Sequence, residues 1–245
     1  MISRIQKHLI IIFLLITFTV SSNSIYKNQA YKAFVENDMK KWENMISNFE
    51  KQKPAELSQK IELISYYYVY IGHLIRAKKH DTANLYIEKG DKLINDVLKN
   101  SPKCATAYAY KGSFGGFKIS LNKLKAFSLS SESKKNIEKA LELEPTNIQA
   151  IVDKANLLFH TPSLFGGDKE ISLKLFLKAV NLFEKHKLTN ENWLYMNTLA
   201  LLARNYQSLN HLQKAKTTYD KILLLEPEFK RVKYDLYPSL LKQLK

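Results

Sequence analysis

Beginning at Tyr31, the residues Phe34, Val35, Met39, Trp42, Met45, Ile46 and Phe49 recur at three- and four-residue intervals. That spacing lays one apolar stripe along a single long first helix. Pro54 opens a second helix, which runs to about Lys79 and carries Leu57, Ile61, Ile64, Tyr68, Ile71 and Ile75. A third, from about Thr82 to Lys99, carries Leu85, Leu93, Ile94, Val97 and Leu98 and stops before Pro102. These two form a first helical pair. In the run Tyr66, Tyr67, Tyr68 and Tyr70 the rings cover every side of a helix, so at least one is expected to face a groove or a partner.

A second pair lies between Cys104 and Pro145, with Phe117, Leu121, Leu124, Ile137 and Ala140 in the same register. Adjacent Gly115 and Gly116 each cost about 1 kcal/mol relative to alanine in a helix, so a break is expected there. The stretch Ser128 to Ser133 reads as the turn, with hydroxyls able to cap the next helix. A third pair runs from Asn147 to about Lys185, with an enlarged turn from His160 to Asp168. A fourth is followed by a capping helix over residues 228 to 243, bent at Pro238, which covers the last apolar face of the stack.

The fourth pair has the most regular spacing. Leu199, Leu202, Ala203, Tyr206, Ala215, Tyr219 and Pro227 match, offset for offset, the signature of the 34-residue tetratricopeptide repeat. Large and small residues on the first helix make a pocket, a small residue on the second allows close approach, and Pro227 ends the unit because it has no N–H to donate. The fold class is therefore all-α, an α-α superhelix of about four helical pairs plus a C-terminal cap. The segments Gly115-Gly116-Phe117-Lys118-Ile119-Ser120-Leu121, Ile137 to Pro145, Thr161-Pro162, Phe165-Gly166-Gly167-Asp168 and Glu226-Pro227-Glu228-Phe229 resemble a group of exported bacterial tetratricopeptide proteins. The resemblance spans roughly residues 104 to 240. It implies a fold and an exported address, and brings no established activity with it.

The amino terminus agrees with that address. Arg4 and Lys7 precede an apolar run from Leu9 to Val20, and Ser21, Ser22, Asn23 and Ser24 follow. Residues 1–24 thus read as a secretory signal, and 25–245 as one helical domain. The run is about twelve residues, short of the roughly 20 that cross a bilayer. An uncleaved, membrane-anchoring signal is the alternative. A single cysteine, Cys104, allows no intramolecular disulfide. The formal charge of +15 becomes +13 once Arg4 and Lys7 are removed. Export and the lack of a basic cluster interleaved with stacking aromatics argue against nucleic acid, and leave an acidic partner or an anionic membrane surface as the complement of this charge.

Candidate chemistry is sparse. No histidine is placed beside a serine or cysteine nucleophile, His73 and His80 lack a nearby carboxylate pair, and no paired carboxylates mark a catalytic site, so neither enzyme, cofactor nor metal is expected. In the repeat register the inward positions are Lys118, Asn122 and Lys125 in the second pair, Gln149, Asp153 and Asn156 in the third, and Asn197, Arg204 and Gln207 in the fourth. As the resemblance would have it, Lys118 with Asn122 is similar to the carboxylate-gripping arrangement of some family members. The loop Phe165, Gly166, Gly167 and Asp168 has two readings. One is a structural turn with Phe165 packed on the stack and Asp168 capping the next helix; the other is a lip that touches a ligand.

The function these features favour is a noncatalytic envelope scaffold that binds a protein or peptide on its concave face. A ligand-binding accessory of a solute transport system, holding a small molecule, is the alternative. Intact-mass measurement of the envelope protein should place the mature amino terminus within a few residues of Asn23 to Ile25, and recovery of a full-length membrane-embedded chain would overturn the export reading.

Overall fold

The computed structural model describes residues 24–244, apart from the side chains of residues 24 and 125–127. The proposed signal segment and the side chain of Lys125 lie outside the described residues. Every regular element in this range is helical. The helices are α1 (Ser24–Val35), α2 (Met39–Lys51), α3 (Leu57–Arg76), α4 (His80–Asn100), α5 (Ala105–Leu121), α6 (Ala126–Leu143), α7 (Ile148–His160), α8 (Lys169–Lys185), α9 (Trp193–Ser208), α10 (Leu212–Leu225) and α11 (Tyr237–Leu241). No helix among the described residues is long and apolar enough to cross a membrane.

Four hairpins, α3/α4, α5/α6, α7/α8 and α9/α10, stack in chain order, each packed on the next. The first helix of each hairpin runs in the same direction as its counterparts, so α3, α5, α7 and α9 share one side of the stack. The curl is tight enough for α1 to reach α9 at the far end. Phe34 of α1 meets Trp193 at 6.0 Å and Phe229 at 5.3 Å, and Trp42 of α2 meets Trp193 edge-on at 6.2 Å and Tyr66 at 5.7 Å. The Trp42 indole donates to the Tyr66 carbonyl (3.0 Å), so even the polar edge of this plug is satisfied. Tyr31 donates to Glu226 and Asn28 to Glu191, both at 2.9 Å, which ties the outer face of α1 to the last unit.

The expected long first helix is two. Asn37 takes a left-handed conformation (φ 52°) and Asp38 accepts from the Lys41 N–H at 2.9 Å, so the chain stops and restarts there. The break folds both halves of one apolar stripe onto opposite ends of the curl. The expected break at Gly115 and Gly116 is absent, and α5 runs through it. Its glycines serve close packing instead: a Cβ on Gly112 would lie 2.5 Å from Ile137 and 2.8 Å from the Ser133 carbonyl, and one on Gly115 would lie 3.1 Å from the Ser133 Cβ. Ser133 therefore sits buried inside α6, donating to the Gly112 carbonyl at 2.7 Å, rather than in a turn. The turn itself falls earlier, at a 3-10 segment Lys123–Lys125. The C-terminal cap passes through a π-helical turn, Val232–Leu236, immediately before Pro238, whose missing N–H loosens the regular ladder.

In the fourth hairpin Ala203, Ala215 and Tyr219 are fully buried, and Tyr206 is half-buried. The equivalent crossing of the first and second hairpins is tighter, since a Cβ on Gly90 would lie 2.1 Å from the ring of fully buried Phe114. Gly90→Ala should therefore destabilise the fold by about 1 to 3 kcal/mol through overpacking. Gly116→Ala, where nothing lies within 4 Å, should instead gain about 0.5 to 1 kcal/mol from helix propensity. Denaturant midpoints that shift in the same direction for both would show that the crossing is not this tight.

Candidate functional site

Inside the curl the lining changes along the helices. The amino-terminal half of the space is taken by the aromatic plug of Phe34, Trp42, Tyr66 and Trp193. Next comes a polar layer from three consecutive hairpins, in which the Tyr110 hydroxyl donates to Gln149 (3.1 Å) and the Gln149 amide donates to Asp153 (2.9 Å). Tyr68 and Ser113 lie beside the same carboxylate. Asp153 is 2 % exposed, and its other oxygen, Oδ2, has no geometrically sound partner among the described residues. Burial pushes its pKa up to about 7, against the opposing pull of the Gln149, Ser113 and Tyr68 hydrogen bonds. Tyr68 is the one ring of its tyrosine run that combines solvent access with a place on this inner side; it packs on Tyr110 at 5.7 Å and Phe117 at 5.3 Å.

Beyond that layer, towards the carboxyl ends of α3, α7 and α9, three arginines converge. Arg76 is the last residue of α3, Arg204 lies in the last third of α9, and Arg231 follows α10 at the start of the cap. Arg76 feels the charge of Arg204, and Arg231 feels both. The Arg76 guanidinium folds back over Gly72, where an added Cβ would lie 3.6 Å from Nη1 and 4.0 Å from the Phe117 ring. Arg204 stands over the ring of Phe159 at 5.8 Å. Protein encloses Arg76 and Arg231 on most sides, and desolvation, then neighbouring guanidinium charge, lowers both pKa values, that of Arg231 to about 10. Yet Arg76 is solvent-exposed and Arg204 and Arg231 are half-exposed.

Two neighbours share this field. His160 is held below its ordinary pKa by desolvation and by Arg204, so it is neutral near pH 7. Tyr219 is fully buried, its hydroxyl has no partner among the described residues, and burial raises its pKa to about 12 although Arg204 and Arg231 pull it the other way. Among the described residues no group of three or more His, Cys, Asp or Glu side chains is arranged to hold a metal ion.

No family model matches the sequence, and no curated protein matches it either. Among solved structures, the HusA haemophore from Porphyromonas gingivalis superposes with a TM-score of 0.62 at 15% identity, covering 78% of this chain and 96% of that one. The likeness shows a common all-helical fold.

The residues singled out from the sequence fall into separate groups. Gln149 and Asp153 are buried in the polar layer, Asn156 and Asn197 are half-buried, and Arg204 and half-buried Gln207 lie near the carboxyl end of α9. Lys118 lies elsewhere. It pairs with Asp91 of α4 at 2.6 Å, in a crevice of about 230 Å³ that Lys111, Glu132 and Ser133 also line. Asn122 is exposed and accepts from the Leu124 N–H at 3.1 Å, capping the short turn after α5. The inward line of α5 is instead Tyr110 and Phe117, one position away from Lys118.

In the glycine loop, Gly166 is left-handed (φ 86°), and a Cβ on Gly167 would lie 1.7 Å from the Thr161 carbonyl oxygen, so no side chain fits there. Asp168 caps α8, accepting from the Ile171 N–H at 2.8 Å. Phe165 does not pack on the stack: it is 76% exposed, beside Leu164 at 86%. The sequence places one ring of the run Tyr66 to Tyr70 in the groove without choosing Tyr68, and it does not single out Arg76, Arg231, Phe117, Phe159 or Tyr219 as site residues. The signal that pointed to two of them was the scarcity of arginine, which occurs only at 4, 76, 204 and 231.

Asp153 carries a dependence on pH. A carboxyl whose pKa is 3.8 unfolded and about 7 folded keeps its proton in the folded chain after the unfolded chain has lost it. Stability therefore falls as pH rises through that interval, and the cost persists above it. Asp153→Asn removes the cost and keeps an acceptor for Gln149, so thermal melts at about pH 5 and about pH 8 should show the variant gaining on the wild type as pH rises. A constant difference would mean the carboxyl titrates normally.

Proposed function

We propose that the interior of the curled stack is a receptacle for a small ligand, and that this chain is a noncatalytic, exported binding protein. The observation that carries the reading is the set of inward side chains that protein surrounds and solvent still reaches, namely Tyr68, Arg76, Phe117, Phe159 and Arg204. An extended peptide needs a groove open along its length. Here α1 and α2 occupy part of that length, closed against α9 by the Phe34 and Trp42 contacts to Trp193. The space left suits a compact molecule held by ring faces and a few polar groups. The fold likeness to a protein named as a haemophore is in keeping with this, and makes haem the first ligand to try.

A protein partner is the second reading. It draws on the outside of the molecule, where Leu124, Leu164 and Phe165 project into solvent from the turns after α5 and α7. Those two turns lie on one edge of the stack, because α5 and α7 run in the same direction. On this reading the edge docks a partner and the interior stays empty.

Trp42 and Trp193, the two tryptophans of the chain, line the floor of the receptacle and report on it directly. Titrating the mature protein with haem and with a panel of flat organic acids should give saturable quenching of tryptophan fluorescence at one ligand per chain. Absence of saturable binding across the whole panel would overturn the receptacle.

A further inference from the structure

We propose that Arg76, Arg204 and Arg231 form one anion-holding cluster inside the stack, and that it takes the acidic groups of a flat aromatic ligand bearing more than one of them. The inference rests on the receptacle reading and names the class of ligand that the receptacle selects.

The placement of arginine is the first argument. Of 38 basic residues only four are arginine, and three of these, from the first hairpin, the fourth hairpin and the cap, lie within one another's electrostatic reach although 128 and 155 residues separate Arg76 from the other two. Lysines on the surface do find acids: Lys60 pairs with Asp96, Lys118 with Asp91 and Lys221 with Glu184, each at 2.6 Å. Guanidinium is the better partner for a carboxylate, being planar, forked and more weakly hydrated. Even so, none of the three arginines makes a hydrogen bond or an ion pair among the described residues. The nearest acid in the field of Arg231 is Asp235, which acts on it without pairing. Neighbouring like charges are normally interleaved with acids, because their mutual repulsion is otherwise uncompensated. Three neighbouring guanidiniums that solvent reaches and whose donors are free are open to anionic oxygen.

The surroundings supply the rest of the ligand's shape. Phe117 and Arg76 both border the space over Gly72, and Phe159 lies under Arg204, so two half-exposed rings accompany the cations. A flat aromatic body fits between such faces, with its acidic substituents turned to the guanidiniums. The Tyr219 hydroxyl, fully buried and without a partner beside Arg204 and Arg231, is a neutral donor for the same oxygens. The carboxyl ends of α3 and α9 explain how like charges tolerate one another, since each contributes a partial negative charge. They do not occupy the donors.

A charge series on one ring skeleton tests the cluster: hydroxymethylpyrene, pyrene monosulfonate and pyrene disulfonate, each titrated into the mature protein by fluorescence at fixed ionic strength. Affinity should rise along the series in the wild type. In Arg204→Gln and Arg231→Gln the disulfonate should lose roughly tenfold to a hundredfold in affinity, while the uncharged pyrene binds as before. Lys214→Ala, an exposed cation outside the cluster, should leave all three unchanged. Melting temperature supplies a second readout that does not depend on binding: relieving unpaired like charge should hold or raise it in both arginine variants, whereas arginines that stabilised the fold would lower it. Equal affinity along the series, or equal losses for the uncharged and charged probes in the variants, would overturn the cluster and leave the receptacle standing. Failure of every probe to bind would remove the receptacle itself.

Discussion

The contact between the two ends of the chain is what the rest of the molecule depends on. A stack of helical hairpins has no intrinsic reason to close, because each unit touches only its neighbours. Here Phe34 and Trp42 reach the far unit and bury themselves against Trp193 and Phe229, with ring separations of 5.3 to 6.2 Å. Buried aromatic pairs of this kind add about 0.5 to 1.5 kcal/mol each beyond the area they remove from water. That contact sets the curvature. It brings α3 opposite α9, so that Arg76 and Arg204, separated in sequence by more than half the described chain, fall within one electrostatic field.

Tight crossings both between and within hairpins keep the stack compact. Gly90 against Phe114, and Gly112 against Ile137 and Ser133, allow the helices to approach more closely than any side chain at those positions would permit. Inside the curl, Tyr68 packs on Tyr110 and Phe117. The interior that remains is graded, apolar at its floor, neutral and polar at Asp153, and cationic at the carboxyl ends of α3 and α9.

Helical periodicity made the architecture legible: four hairpins and a cap follow from the spacing of apolar residues and from Pro102, Pro145 and Pro227. Local exceptions were less visible. A left-handed Asn37 followed by a capping Asp38 splits a stripe that is continuous in sequence, because a one-dimensional pattern continues across a sharp turn that keeps its phase. Gly115 and Gly116 read as a break on propensity alone, whereas the crossing with α6 has little room for a side chain at Gly115 and the helix simply carries Gly116 through. The site suffered most. The inward register was carried from the fourth hairpin to the second, and an offset of one position turned attention to Lys118 when Phe117 is the residue that faces Tyr68. Register places Arg204 inward, whereas Arg76 and Arg231 lie in elements whose proximity to it arises from the closure.

The charge balance of the interior follows from these constraints taken together. Asp153 is the buried acid nearest this region, and it faces Gln149, Ser113 and Tyr68 rather than any arginine. With its pKa raised to about 7 by burial, it is partly protonated at neutral pH and makes a weak counterion. The fold has thus kept a carboxyl in a layer where it must be satisfied by neutral donors, and placed three guanidiniums in the next layer without one. Were the arginines present only to stabilise the chain, moving an acid the short distance from one layer to the other would compensate them. The same local chemistry that satisfies a carboxylate elsewhere on this surface, as between Lys60 and Asp96, is withheld here. Such a separation of a buried acid from unpaired guanidiniums leaves their mutual repulsion uncompensated, a cost that an acidic molecule entering from outside relieves.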